Sequence, residues 1–142
     1  MLELGEDSIE KIIKPCGLYK KKAKAITELS NILVNDYEGR VPNTFDELVS
    51  LPLVGRKTAS IILCYTYHKK GYFPVDTHVY RIAHRWKISH SINILKVEAD
   101  LKSFFYYKNF RKIHLQIIYF ARKFCRARFH NMKNCPICKN IL

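Results

Sequence analysis

Several things this 142-residue chain does without narrow the field before any motif is considered. It has no apolar run of about 18 residues, the length a helix needs to cross a bilayer. Its first residues, Met1-Leu2-Glu3-Leu4-Gly5-Glu6-Asp7, are acidic, whereas a secretory leader is basic and then apolar. Gly and Pro are scarce at five each, and there is no low-complexity tract or internal repeat. No stretch alternates apolar and polar residues convincingly enough to read as a strand. Acid is also in short supply: 12 Asp and Glu stand against 25 Lys and Arg, a net charge of +13. An acidic partner such as a polynucleotide suits that balance better than a membrane surface does. The excess is uneven. Residues 71–142 carry 14 basic side chains against Asp76, Glu98 and Asp100, while residues 1–70 carry 11 against 9. The expectation is a cytosolic, monomeric, nucleic-acid-facing protein with no membrane contact, associated with the nucleoid if the source is bacterial.

What is present centres on residues 51–59, Leu-Pro-Leu-Val-Gly-Arg-Lys-Thr-Ala. Thr44 and Glu47 stand at capping-box spacing, ahead of Leu48 and Leu51. Pro52 then turns Leu51 away from helical geometry, and Gly55 is free to take a positive φ. Beyond it, Ala59, Ile62 and Leu63 share a helical face. The pattern predicts helix, tight hairpin, helix over about 44–68. Such a hairpin aims free N–H groups toward solvent, where a phosphate can accept from them, with Arg56 and Lys57 adding charge. A lysine in a first helical turn feels the positive dipole end, which favours its neutral, nucleophilic form. Asp76, immediately before Thr77-His78-Val79, can cap the next helix with one oxygen and keep the other for chemistry.

With those residues in view, the chain resembles the endonuclease III family of DNA glycosylases, in the helix-hairpin-helix-GPD superfamily. Leu51-Pro52-x-Val54-Gly55-x-Lys57-Thr58-Ala59 and Val75-Asp76-Thr77-His78 match the family's two functional motifs, and the similarity runs from Met1 to about Cys138. The resemblance implies an all-α, two-lobed helical bundle with DNA and the active site in the interlobe cleft. Residues 1–70 would form a partial helical barrel carrying the hairpin, and 71–142 an interdependent second lobe. It implies Lys57 as the Schiff-base nucleophile and Asp76 as the catalytic carboxylate. The substrate would be double-stranded DNA with oxidised pyrimidines or abasic sites, cut by β-elimination. Related monofunctional adenine glycosylases lack a lysine here, which argues against that class. Leu53 departs from the pattern, because the family usually has glycine there. A DNA-binding remnant without turnover, or a mismatch uracil or thymine glycosylase, are the alternative readings.

In chain order, residues 8–14 predict a short helix capped by Ser8, followed by a break at Gly17-Leu18-Tyr19. A longer helix is predicted over 20–36, with Ala23, Ile26, Leu29, Ile32 and Leu33 recurring on one side. By resemblance Leu18 corresponds to a residue that wedges into the base stack; packing beneath its own loop is the alternative. Lys20-Lys21-Lys22 read as a solvated helix start, with Lys22 matching a recurrent family lysine. Val54, Gly55, Arg56 and Thr58 complete the expected DNA contacts. Helices are predicted over 77–86, with Val79, Ile82 and Ala83 inward and Arg81 and Arg85 on one face. Two more follow over 92–105 and 109–124, the latter striped by Ile113, Ile117, Phe120 and Phe124. Tyr106, Tyr107, Phe110 and Tyr119 are expected in the core, with base stacking the alternative, and His78 is expected to steady its helix start.

Five cysteines remain. Cys16 and Cys64 read as small core residues. Cys125-x9-Cys135-Pro136-Ile137-Cys138 gathers three thiols in a basic tail, and the resemblance implies a [4Fe-4S] cluster there. The family uses four cysteines with a first spacing of generally six, and its fourth would fall beyond Leu142. Three outcomes stay open: no complete cluster, a fourth ligand such as His130 or a partner chain's residue, or zinc held by Cys125, His130, Cys135 and Cys138. A disulfide is not expected in a reducing compartment. The N-terminus resembles an internal stretch of the family, so its first helices, and the glutamine that fills the flipped-base gap, are expected to be missing.

Overall fold

The computed structural model describes residues 1–106 and 108–141. Tyr107, expected in the core, lies outside the described residues. Among those residues every regular element is helical, as the sequence predicts. They form two compact units, Met1–Ala59 and Ser60–Leu142. None of the helices is long and apolar enough to cross a membrane.

In the first unit α1 (Gly5–Ile12) packs on α2 (Tyr19–Asp36). The helix predicted from Ser8 starts three residues earlier, and Ser8 caps nothing: Leu4 occupies the cap position with no side-chain bond. Glu6 and Asp7 in the first turn supply the negative charge that a helix start favours. Leu18, at φ 59°, breaks the chain ahead of α2. Ala23 is fully buried in α2. The short helix α3 (Phe45–Ser50) carries the expected capping box: Thr44 accepts from the Glu47 N–H and its hydroxyl donates to the Glu47 carboxylate. Leu48 and Leu51 are buried, and Leu51 leaves helical geometry at ψ 146°, as Pro52 requires.

The next helix, α4 (Arg56–Ile61), does not continue regularly through Leu63. It widens into a π-helical segment over Ile62–Thr66, closed by the Tyr67 N–H on the Ile62 carbonyl at 3.2 Å. The extra residue in that turn lets Leu63 and Cys64 both stay buried while Tyr65 reaches His114.

The core of the second unit is built by α5 (Thr77–Arg85), α6 (Ile94–Phe104) and α7 (Phe110–Lys123). Val79, Ile82 and Ala83 of α5 are fully buried, as their spacing predicts, with Val97 and Leu101 of α6 and Ile117 and Ala121 of α7. Phe73 sits at the centre, stacked on Phe105 at 6.1 Å and tilted against Phe110 at 5.3 Å. Removing a ring buried that completely costs about 3–5 kcal/mol. Asn93 and Asn109 cap α6 and α7, so α6 starts two residues later than predicted and Ile92 is exposed. Tyr106 and Tyr119 are not core residues: both are well exposed, Tyr106 in the turn beyond α6 and Tyr119 pointing away from the side of α7 that carries Ile117 and Ala121. Phe124, past the last turn of α7, is also exposed. Cys16 is exposed and Cys64 buried, so only the second fits its reading as a small core residue.

Candidate functional site

The hairpin of the first unit folds by local chemistry. Between α3 and α4 the Val54 N–H donates to the Leu51 carbonyl at 3.1 Å. The residue with positive φ is Leu53, at 57°, and not Gly55. The glycine marked as free to adopt that geometry does not use it, and the leucine standing where the family has glycine does. Leu53 is largely exposed, and a Cβ added to Gly55 would meet nothing within 4 Å. The surface of the hairpin is therefore open on that side. Arg56, Lys57 and Thr58 form the first turn of α4, all exposed. The Arg56 guanidinium lies over the Phe45 ring at 4.7 Å, which holds it beside the turn. Leu18 is 73% exposed, so it does not pack beneath its loop. Lys20, Lys21 and Lys22 are solvent-facing along the start of α2.

In the second unit Asp76 caps α5 as its position predicts. Its Oδ1 accepts from the Val79 N–H at 2.7 Å, and that bond leaves Oδ2 uncommitted to it. Val75 and Pro74 beside it are buried, so the carboxylate rides on fixed backbone. His78 accepts from Arg81 Nη2 at 3.1 Å, in keeping with a steadying role at the helix start.

Tyr65 was not singled out by the sequence. Its hydroxyl stands 2.6 Å from His114 Nδ1, and burial, with Cys64 and Asp76 nearby, raises its pKa although Arg111 opposes this. A groove of about 790 Å3 opens next to it, lined by Lys69, Lys70, Lys102, Lys108 and Arg111 around Cys64. Those lysines are scattered over the sequence, so only folding reveals that they share a wall. Burial pushes the Cys64 thiol up, against the nearby Arg111 charge.

The third assembly closes the C-terminus. Cys125, His130, Cys135 and Cys138 present one donor atom each, all within 4.8 Å of one another, and could hold a metal ion. The three cysteines are buried at the edge of the main core. Cys125 Sγ stands 3.6 Å from His130 Nε2 and 3.8 Å from Cys138 Sγ. Burial opposes ionisation of Cys135. The backbone N–H groups of Cys138 and Ile137, together with the neighbouring thiols, outweigh it and bring the pKa down. Burial and the adjoining thiols push Cys138 up to about 12. His130 is held below its ordinary value, first by burial and then by the charges of Arg85 and Arg81, although the Phe124 backbone acts the other way. Arg81 and Arg85, which the helical spacing places on one face, both turn to this region.

The family described as HhH-GPD superfamily base excision DNA repair protein matches residues 1–105. Endonuclease III of Rickettsia felis is 40% identical over 137 residues, covering 96% of this chain and 64% of that protein. Endonuclease III of Bacillus subtilis is 37% identical over 136 residues, covering 92% of this chain and 60% of its own length. A solved non-covalent Endonuclease III–DNA complex superimposes with a TM-score of 0.90 at 31% identity, covering 99% of this chain and 65% of that one. A trapped Endonuclease III–DNA covalent intermediate gives a TM-score of 0.88 at 32% identity, over 96% of this chain and 64% of that one. The chain thus spans a little under two-thirds of the length of these relatives.

Proposed function

Because the chain belongs to the HhH-GPD superfamily of base excision DNA repair proteins, we propose that it is a bifunctional DNA glycosylase and AP lyase. Its substrate would be double-stranded DNA carrying damaged bases, oxidised pyrimidines above all, or abasic sites. The observation that carries this reading is a pair of features. An exposed Lys57 stands in the first turn of α4, immediately after the hairpin, and a carboxylate, Asp76, is fixed by its own cap bond. Relatives over nearly this whole chain are Endonuclease III, and one of them has been trapped covalently on DNA.

In this reading the Gly55 end of the hairpin and the basic side chains grip the strand through phosphates, which supplies affinity without sequence preference. Lys22, Arg56 and Thr58 join that contact, and the exposed Leu18 fills the stack beside the extruded nucleotide. Val54 contributes through the turn it forms, since its N–H is bonded to Leu51. Asp76 takes a proton from the Lys57 ammonium. The free amine attacks C1′ of the damaged nucleotide, and the bond to the base breaks with its electron pair leaving on the base. Ring opening gives an iminium between Lys57 and C1′. Loss of a C2′ proton then expels the 3′ phosphate, and water releases the lysine. Residues 1–70 and 71–142 act here as interdependent lobes of one monomer, in the cytoplasm, and with the nucleoid if the source is bacterial.

The resemblance also brings a [4Fe-4S] cluster to the C-terminal donor set, and the residues present do not fit it. They are three thiols and an imidazole, with two sulfurs only 3.8 Å apart. In a cubane each thiolate binds a different iron, which spreads the sulfurs to roughly 6 Å.

The experiment is borohydride trapping on duplex DNA with one abasic site. A covalent protein–DNA adduct is expected, lost in Lys57→Ala while duplex binding is kept. Binding without any adduct would leave a DNA-binding remnant of the family and sink the enzyme reading. A panel of oxidised-pyrimidine and mismatched duplexes then separates the proposed substrate from mismatched uracil or thymine.

A further inference from the structure

We propose that Cys125, His130, Cys135 and Cys138 bind a single zinc ion in a closed tetrahedral Cys3His site, in place of an iron–sulfur cluster. Zinc binds thiolate sulfur at about 2.3 Å and imidazole nitrogen at about 2.0–2.1 Å, nearly always with four ligands in structural sites. Tetrahedral angles then separate two sulfurs by about 3.8 Å and a sulfur from the nitrogen by about 3.5 Å. The observed separations are 3.8 Å for Cys125 and Cys138 and 3.6 Å for Cys125 Sγ and His130 Nε2. No pair of the four donor atoms exceeds 4.8 Å. One ion fits that space and four irons with four sulfides do not.

The donor set argues the same way. Thiolates with one imidazole at tetrahedral spacing suit zinc, which sits high in the affinity order for nitrogen and sulfur sites. The surroundings match the charge of the assembly. Three thiolates, a neutral imidazole and a divalent cation sum to one negative charge. Arg85 Nη1 stands 3.2 Å from Cys125 Sγ to balance it. The Cys135-Pro136-Ile137-Cys138 turn points the N–H groups of Ile137 and Cys138 at Cys135 Sγ, which fixes that sulfur. With all three cysteines buried in the core and no position left for water, the ion would be structural, tying the C-terminal loop to the end of α7.

The test uses the full chain, produced with both iron and zinc supplied and purified without oxygen. One zinc per chain is expected by elemental analysis, with no iron, no acid-labile sulfide and no absorbance near roughly 400 nm. After the zinc is chelated away, titration with Co2+ should give one equivalent of the intense red-region bands of tetrahedral cobalt. His130→Cys should keep one zinc, and His130→Ala should weaken zinc binding at least tenfold. Iron with sulfide, a lone iron, less than stoichiometric metal of any kind, or unchanged zinc affinity in His130→Ala would each overturn the assignment. Metal content is read without DNA, so it stands or falls apart from the trapping experiment.

Discussion

Arg85 of α5 and Cys125, which follows α7, are joined twice. Arg85 Nη1 donates to the sulfur of Cys125 at 3.2 Å and to its carbonyl at 3.2 Å. The same nitrogen reaches the Arg126 carbonyl at 2.7 Å. One turn earlier, Arg81 donates from Nε and Nη2 to the Cys125 carbonyl, each at 3.2 Å. The end of a helix leaves carbonyls without intrahelical partners, and here two guanidinium groups from another helix meet the chain as it leaves α7.

Arg85→Ala is therefore expected to cost about 2–3 kcal/mol, since hydrogen bonds to charged groups are each worth about 1.5–3 kcal/mol when buried partners are stranded. Arg85→Lys should recover only part of that, because one ammonium cannot serve the acceptors of Nη1 and also the Ala127 carbonyl that Nη2 meets at 3.4 Å. Urea unfolding of the two variants beside the parent checks this, the midpoint falling with little change in slope. Equal stability of the alanine variant would mean that the clasp contributes nothing.

Leu53 supplies the second expectation. At φ 57° an L-residue with a side chain costs about 1–2 kcal/mol relative to the right-handed region. Glycine adopts that geometry freely but loses about 0.5–1 kcal/mol more chain entropy on folding. Leu53→Gly should thus stabilise the protein by about 0.5–1 kcal/mol, whereas Leu53→Ala should not, since alanine keeps the Cβ. Thermal unfolding of the pair is the measurement, and a destabilised glycine variant would contradict the strain argument.

That residue also shows where the sequence stops being legible. Thr44, Glu47 and Pro52 act within a few positions of themselves, so the hairpin and the boundary at Leu51 can be read directly. Gly55 and Leu53 cannot be told apart in this way: sequence says which residue is able to take a positive φ, and the closing of the turn decides which one must. The helical faces of α5 and the cap at Asp76 were readable for the same local reason. The π-helical widening over Ile62–Thr66 was not, because it answers to Tyr65 meeting His114, 49 positions away. Likewise the i, i+4 spacing of Arg81 and Arg85 was visible, but not that their acceptors lie at Cys125 and Arg126. His130 could be named as one possible fourth ligand; only the fold brings its Nε2 to 3.6 Å from Cys125. Aromatic character alone said little about Tyr106, which lies in the turn after α6, or Tyr119, which α7 turns outward.

Acid should expose a third contribution. Hydrogen bonds from Lys96 and Ser89, with Oδ2 of Asp100 2.6 Å from the Ser89 hydroxyl, hold the Asp100 carboxyl below 3.8. Its folded value being lower than its unfolded one, the stabilisation is fully present above 3.8 and is lost as pH falls through the folded value. Ser89→Ala should therefore lower stability at neutral pH and flatten the acid limb of the stability profile. Parallel profiles for the two proteins would show that the Ser89 bond does not contribute to the shift.

Asp76 carries two roles that substitution can separate. As a cap it accepts from the Val79 N–H at 2.7 Å, and as the proposed catalytic group it needs a charged oxygen beyond that bond. Asparagine caps nearly as well as aspartate, so Asp76→Asn should leave stability within a few tenths of a kcal/mol, while Asp76→Ala should cost about 1 kcal/mol. Neither variant keeps a carboxylate, so both should slow formation of the trapped adduct by about 100-fold or more, the scale of a positioned acid–base group. The informative variant is therefore Asp76→Asn, in which a loss of trapping cannot be assigned to a frayed α5. Were it to trap abasic DNA at the parental rate, Asp76 would be a helix cap alone, and deprotonation of Lys57 would have to come from another base.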